Sequence, residues 1–108
     1  MDETPTVTRN DSAGRYEIHL GDVLAGFVEF SPAPNGELIF PHTEVDPAFK
    51  GKGLGSVLVG EAMKDAASRG DRVLPLCPFV RRYLNENTVP GLDVDWSAPS
   101  QGGSGTGA

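Results

Sequence analysis

Apolar positions along the chain recur first with a period of two and later with a helical period, which predicts strands followed by helices. Thr6–Arg9 reads as a short strand. Arg15–Leu20 puts Tyr16, Ile18 and Leu20 on one face and Arg15, Glu17 and His19 on the other, so His19 reads as a surface residue. Gly21-Asp22 signals a turn, and Val23–Phe30 is apolar enough for burial on both faces. Ser31–Gly36 (SPAPNG) then reverses the chain. Glu37–Val45 reads as one long strand, within which Pro41, lacking an N–H, demands a bulge, a bend or an unpaired edge position. The first half is thus an antiparallel meander.

The period changes after Asp46-Pro47. A glycine-rich loop leads into a helix over Leu54–Arg69, with Leu54, Leu58, Ala62 and Ala66 at i, i+4 spacing, flanked by Val57 and Met63. Gly70 stands where a helix-ending glycine belongs. Arg72–Leu76 is a short apolar strand, so a strand-loop-helix-strand unit closes here, and such crossovers place their strands parallel. Cys77 takes the N-cap place and Pro78 the first turn of a second helix near Phe79–Asn85, before a last strand over Leu92–Trp96. The expected class is α/β (α+β): a mixed sheet, antiparallel early and parallel late, with two main helices. The domain spans 6–96, between a polar N-terminus (1–5) and a Gly/Ser-rich tail (97–108) that read as disordered.

Composition narrows the function. Nine Lys and Arg stand against fifteen Asp and Glu, a net charge of −6 with 7% aromatics, which argues against nucleic acid and anionic membranes as partners. No apolar run approaches the ~18 residues of a membrane span, and no secretory leader is visible, so a cytoplasmic location is expected. The single cysteine, Cys77, excludes an internal disulfide or a multi-cysteine metal site. The charge is also segregated: residues 1–49 carry nine acids and two bases, whereas residues 50–92 carry seven bases and four acids.

Lys50-Gly51-Lys52-Gly53-Leu54-Gly55-Ser56 carries the strongest chemical signal. Glycines just before a helix let the backbone approach a ligand, the first helical amides lack internal partners, and two lysines add charge at the same place. A phosphate-bearing ligand follows. Both familiar nucleotide loops fail: no Lys follows Gly55, and the third position of a G-x-G-x-x-G pattern falls on Ser56 or Leu58.

The pattern that comes nearest is [Q/R]-x-x-G-x-[G/A], with Lys50 replacing the usual Gln or Arg, which keeps a cation at the loop start, and Gly53 and Gly55 at its glycines. Together with His42-Thr43-Glu44-Val45 before the loop and Val73-Leu74-Pro75-Leu76-Cys77-Pro78-Phe79-Val80 after the helix, it resembles the small single-domain GCN5-related N-acetyltransferases. The resemblance covers about residues 15–95. It implies acetyl-CoA (coenzyme A) as cofactor, its pantetheine arm along Thr43, Glu44, Val45 and Asp46, and its pyrophosphate on the loop Lys50, Gly51, Lys52, Gly53, Leu54, Gly55 and Ser56. A slot is expected between Glu37–Val45 and Arg72–Leu76. The family's frequent His-Pro pair after the second helix is absent here, where Asn85–Pro90 stands, so no role is carried over from that histidine.

Acetyl transfer needs a neutral amine, a polarised thioester and a proton for the departing thiolate. Cys77, where the positive end of a helix dipole favours a thiolate, is a candidate acyl carrier or thioester neighbour. His42, on the cofactor strand, is a candidate base. Tyr83, on the second helix, is a candidate acid for the thiolate. The expected function is N-acetylation of an amine, either a small molecule or a protein amine. The alternative is a non-catalytic acyl-CoA-binding or regulatory module. The acidic first half would form the side of the cleft that attracts a cationic amine. Neither the acceptor nor the oligomeric state is legible.

Overall fold

The structure, a computed structural model, describes residues 4–49 and 51–97; Lys50 and most of the two expected disordered ends lie outside them. The chain runs β1 (Pro5–Asn10), β2 (Arg15–Leu20), β3 (Val23–Glu29), β4 (Ser31–Pro32), β5 (Leu38–Phe40), β6 (Thr43–Val45), a 3₁₀ turn (Pro47–Phe49), α1 (Leu54–Ser68), β7 (Arg72–Pro75), α2 (Pro78–Glu86) and β8 (Asp93–Val94). Strand order is β1-β2-β3-β6 in one sheet and β4-β5-β7-β8 in the other. The first sheet is antiparallel throughout, whereas β5, β7 and β8 run parallel. The mixed α and β class is as expected. Among the described residues, no helix is long and apolar enough to cross a membrane.

The expected long strand Glu37–Val45 is two strands in different sheets, and Pro41 and His42 are the junction. Pro41 has no N–H to give to a ladder, so pairing stops there. On one side, Phe40 C=O accepts the amides of Leu76 (3.2 Å) and Cys77 (2.9 Å); on the other, His42 C=O accepts the Glu29 amide at 2.8 Å. Three consecutive residues therefore commit the chain to two sheets, and a slot opens between β6 and the end of β7.

α1 buries the expected stripe of Leu54, Leu58, Ala62 and Ala66 against Tyr16, Ile18, Leu20 and Val28. The expected flank needs correction. Val57 is 39% exposed, and Val59, one turn before Met63 on the same side, is buried instead. Both helices lie on one side of the sheets. The β5–α1–β7 and β7–α2–β8 crossovers step in the same direction, and α1 meets α2 where Phe79 covers Gly55 and the Tyr83 hydroxyl abuts Gly60. The opposite face of the first sheet has no helix over it among the described residues. Leu24 (37% exposed), opposite His19, is therefore open to solvent, and Val23 (52%), opposite Leu20 at the strand's end beside the Gly21-Asp22 turn, is exposed too, so the strand is not buried on both faces.

Two close contacts fix the frame, one within the first sheet and one between that sheet and α1. A Cβ at Gly26 would lie 2.6 Å from the Glu44 carbonyl oxygen, so glycine is what lets β3 and β6 approach. Tyr16, 2% exposed, stacks on Phe40, meets Phe30 at a tilt, and donates its hydroxyl to Asp65 Oδ2 at 2.7 Å, tying β2 to α1. Arg9 lies over the Phe30 ring at 4.6 Å and donates to the same hydroxyl. Burial, with the Asp65 carboxylate as acceptor, pushes the Tyr16 hydroxyl up to about 12.

Because the folded state holds this proton more tightly than the unfolded chain (ordinary phenol ~10), its contribution is complete below pH ~10 and is lost as pH rises through about 12. Tyr16→Phe should lower unfolding free energy in urea by ~1–2 kcal/mol at neutral pH, since Arg69 still satisfies Asp65. The gap from wild type should narrow above pH ~10. A pH-independent gap would show that the hydroxyl proton is not what is lost.

Candidate functional site

β6 supplies one wall of the slot, and the parity of its residues divides their tasks. His42, Glu44 and Asp46 turn their backbone groups toward β3, as the bonds Glu29 N–H to His42 C=O and Asp46 N–H to Ala25 C=O show. The amides and carbonyls of Thr43 and Val45 therefore point into the slot, with no strand paired to them among the described residues. Only these two of the four expected strand residues offer free backbone to an extended ligand. The Asp46 carboxylate is used locally, accepting the Ala48 amide at 2.9 Å.

The loop that follows ends in a helix start without a side-chain cap. Gly53 occupies the N-cap at φ 72°, ψ 17°, where Ser, Thr, Asp or Asn would ordinarily reach back to the first amides. The first backbone bond closing the helix is Val57 N–H to Gly53 C=O, which leaves the amides of Leu54, Gly55 and Ser56 directed outward. Gly51 (φ 82°) and Gly53 have open space where a Cβ would stand, which leaves the outward amides accessible and makes the loop a candidate anion cradle. Lys52 is exposed beside it; Lys50, the other expected cation, lies outside the described residues.

Cys77 caps α2 in extended conformation without using its side chain as a cap. Its thiol, in a residue only 5% exposed, instead sits 3.3 Å from Thr43 Oγ1, across the slot from β6. Thr43 pairs with buried Val28, which sets its side chain on the helix-covered face; His42 and Glu44 alternate to the open face. There the His42 imidazole is half exposed, with Nε2 3.4 Å from Glu44 Oε2 and its ring 6.2 Å from that of Phe27. The expected base and the expected thiol thus flank Thr43 from opposite sides of β6. His19 is not part of this group: it lies on β2 with Nε2 3.9 Å from Glu17, and is partly covered.

The third expected residue, Tyr83, lies in the seam between the helices. Its hydroxyl abuts Gly60, beside a hollow of about 280 Å³ lined by Ser56, Phe79, Arg82 and Asn87. This groove begins at the start of α1 and was not legible from motifs. Its only sequence signal is that Phe79, Arg82, Tyr83 and Glu86 fall on one stripe of α2 at i, i+3 and i+4. A larger hollow, about 540 Å³, sits at the other end of α1 around Arg9, Tyr16 and Arg69, where the charges already pair with Asp65 and Asp11.

Gly53→Asp tests the cradle. Asp tolerates positive φ better than most residues, and its carboxylate would cap the helix while repelling an anion. Inorganic pyrophosphate should shift the backbone amide signals of residues 51–56 in the wild type, and the substitution should weaken this by at least ~tenfold with helix content kept. Equal binding by both proteins would rule the loop out.

A family model described as GCN5-related N-acetyl-transferase matches residues 15–90. No curated protein matches the chain.

Proposed function

The chain belongs to the GCN5-related N-acetyltransferase family, and from that premise we propose that it transfers an acetyl group from acetyl-CoA to an amine. One feature of the geometry carries the proposal. The free backbone edge at Thr43 and Val45 runs from the Cys77 thiol to the uncapped amides of α1, so an extended ligand with a thioester at one end and a pyrophosphate further along matches the path.

When bound, acetyl-CoA supplies an acetyl group already activated as a thioester. Thr43 and Val45 bind the pantetheine amides as a neighbouring strand would. The amides of Leu54, Gly55 and Ser56 hold the pyrophosphate; the helix dipole adds ~0.3–1 kcal/mol at an exposed terminus, and Lys50 and Lys52 add full charges. His42 takes the proton of the attacking amine, and the Glu44 carboxylate stabilises the imidazolium that results. As the C–N bond forms the C–S bond breaks, and the sulfur leaves as a thiol with a proton that Tyr83 provides from the helix-side groove. Cys77 offers a two-step route with the same balance. Its sulfur takes the acetyl group, its proton leaves on the coenzyme A thiol, and the amine then displaces Cys77.

Incubation of the full chain with acetyl-CoA, followed by intact mass measurement, should show one added acetyl group that disappears in Cys77→Ser. Acetylation that survives this substitution would exclude Cys77 as carrier and leave direct transfer.

His42→Ala should lower kcat by ~10²–10⁴ with acetyl-CoA affinity kept, because the imidazole lies on the face opposite the cofactor path. Unaltered turnover would end its assignment as base. Acetyl-CoA binding without transfer to any amine or to the protein would instead establish the acyl-CoA-binding module.

A further inference from the structure

We propose that the uncovered face of the β1-β2-β3-β6 sheet is the acceptor surface, and that its acceptor is a lysine side chain within an extended, basic polypeptide segment. The inference rests on the acetyl-transfer reading above and adds to it the class of amine.

The shape of the face argues for a long partner. β1 and β2 are joined by the tight turn between Asn10 and Arg15, which leaves no room for a helix over the sheet, and both α1 and α2 lie on the other side. A small-molecule site normally encloses most of its ligand. Here the only hollow described on this face is an open depression of about 450 Å³ around Leu24, Phe27, Glu44 and Pro47. A free small amine would bury little of itself there, whereas a polypeptide gains contact along its length.

Charge selects the sign of the partner. Strand register brings Glu17, Glu29 and Glu44 to this face against a single guanidinium, that of Arg15. Arg15 is already engaged: its Nε lies 2.8 Å from Glu17 Oε2, and its guanidinium lies over the Phe27 ring at 4.5 Å. Glu29 has no side-chain ion pair or hydrogen bond among the described residues, and Glu44 contacts only the half-exposed His42. The two available carboxylates thus flank an aromatic ring whose neighbour is the proposed base, 6.2 Å away. A lysine laid over this stretch would be drawn in as the ammonium by Glu29 and Glu44, beside the Phe27 ring that Arg15 covers, and surrender its proton to His42 at the slot. Its nitrogen then attacks from the open side while the thioester enters from the helix side.

The test uses the full chain and an N-terminally blocked peptide of alternating lysine and alanine, with n-butylamine as the isolated amine and the same peptide with glutamine for lysine as the neutral control. The lysine peptide should shift amide signals of Phe27, Glu29 and Glu44, with or without acetyl-CoA. The shifts should be lost at ~1 M salt, where the screening length falls to ~3 Å, and be absent with the glutamine peptide. In turnover, its kcat/KM should exceed that of n-butylamine at least ~tenfold. Glu29→Lys should lower peptide kcat/KM by ~tenfold through KM, with acetyl-CoA affinity retained, and Glu29→Gln should fall between the two. Equal kcat/KM for peptide and n-butylamine, peptide shifts confined to the helix side, or an unchanged KM in Glu29→Lys would each overturn the proposal. If acetyl-CoA leaves Gly51, Gly53 and Gly55 unshifted, the acetyl-transfer reading itself fails. A chain that acetylates n-butylamine but does not bind the lysine peptide keeps that reading and loses only this surface.

Discussion

Everything described for the site depends on what happens at Pro41. A proline in a strand can neither donate to a ladder nor let its neighbour's pairing continue unchanged, so β5 ends at Phe40 and β6 begins at Thr43 in another sheet. The Phe40 carbonyl receives two amides from the β7–α2 junction while the His42 carbonyl receives one from β3. The chain is therefore pinned on both sides of the break, and the slot between the sheets is held open by hydrogen bonds rather than by loop flexibility. Continuous pairing here would have used up the backbone groups of Thr43 and Val45 that the break leaves free.

A two-layer arrangement then gives the slot two unlike mouths. On the helix side lie the outward amides of α1, the groove under Arg82 and Tyr83, and the Cys77 thiol. On the open side lie His42, Glu44, Phe27 and Glu29. The charge segregation along the chain maps onto this division: the acidic first half forms the open sheet face, and the more basic stretch after residue 50 forms the helices and the glycine loop. The two mouths of one gap thereby differ in the sign of their charge. The net charge of −6 alone conveys nothing of this.

Much of the fold was legible because local chemistry decided it. The glycine loop, the stripe Leu54–Leu58–Ala62–Ala66, Gly70 at the end of α1, and Cys77-Pro78 at the start of α2 are all where residue type and spacing put them. What was not legible shares one cause: it depends on which faces are covered. Val57 and Val59 are equally apolar, but only the second points at the sheet. Val23 and Leu24 look like core residues and are exposed, Leu24 because no helix lies over its face among the described residues and Val23 because it stands at the turn end of its strand. Gly26, an unremarked glycine in an apolar strand, turns out to be the place where β3 and β6 come closest.

By itself the sequence determined the order of the elements, the position of the glycine loop and the identity of the candidate groups, since each rests on interactions within a few residues: turn chemistry, helix capping and alternation along one strand. Only the tertiary structure decided how those groups are shared out. That Thr43 reaches Cys77 while His42 faces away, that Thr43 and Val45 rather than Glu44 and Asp46 present free backbone, and that Tyr83 lies in the helix seam all follow from register and packing. A shift of one residue between β3 and β6 would exchange every one of the strand assignments, and no local pattern encodes that register.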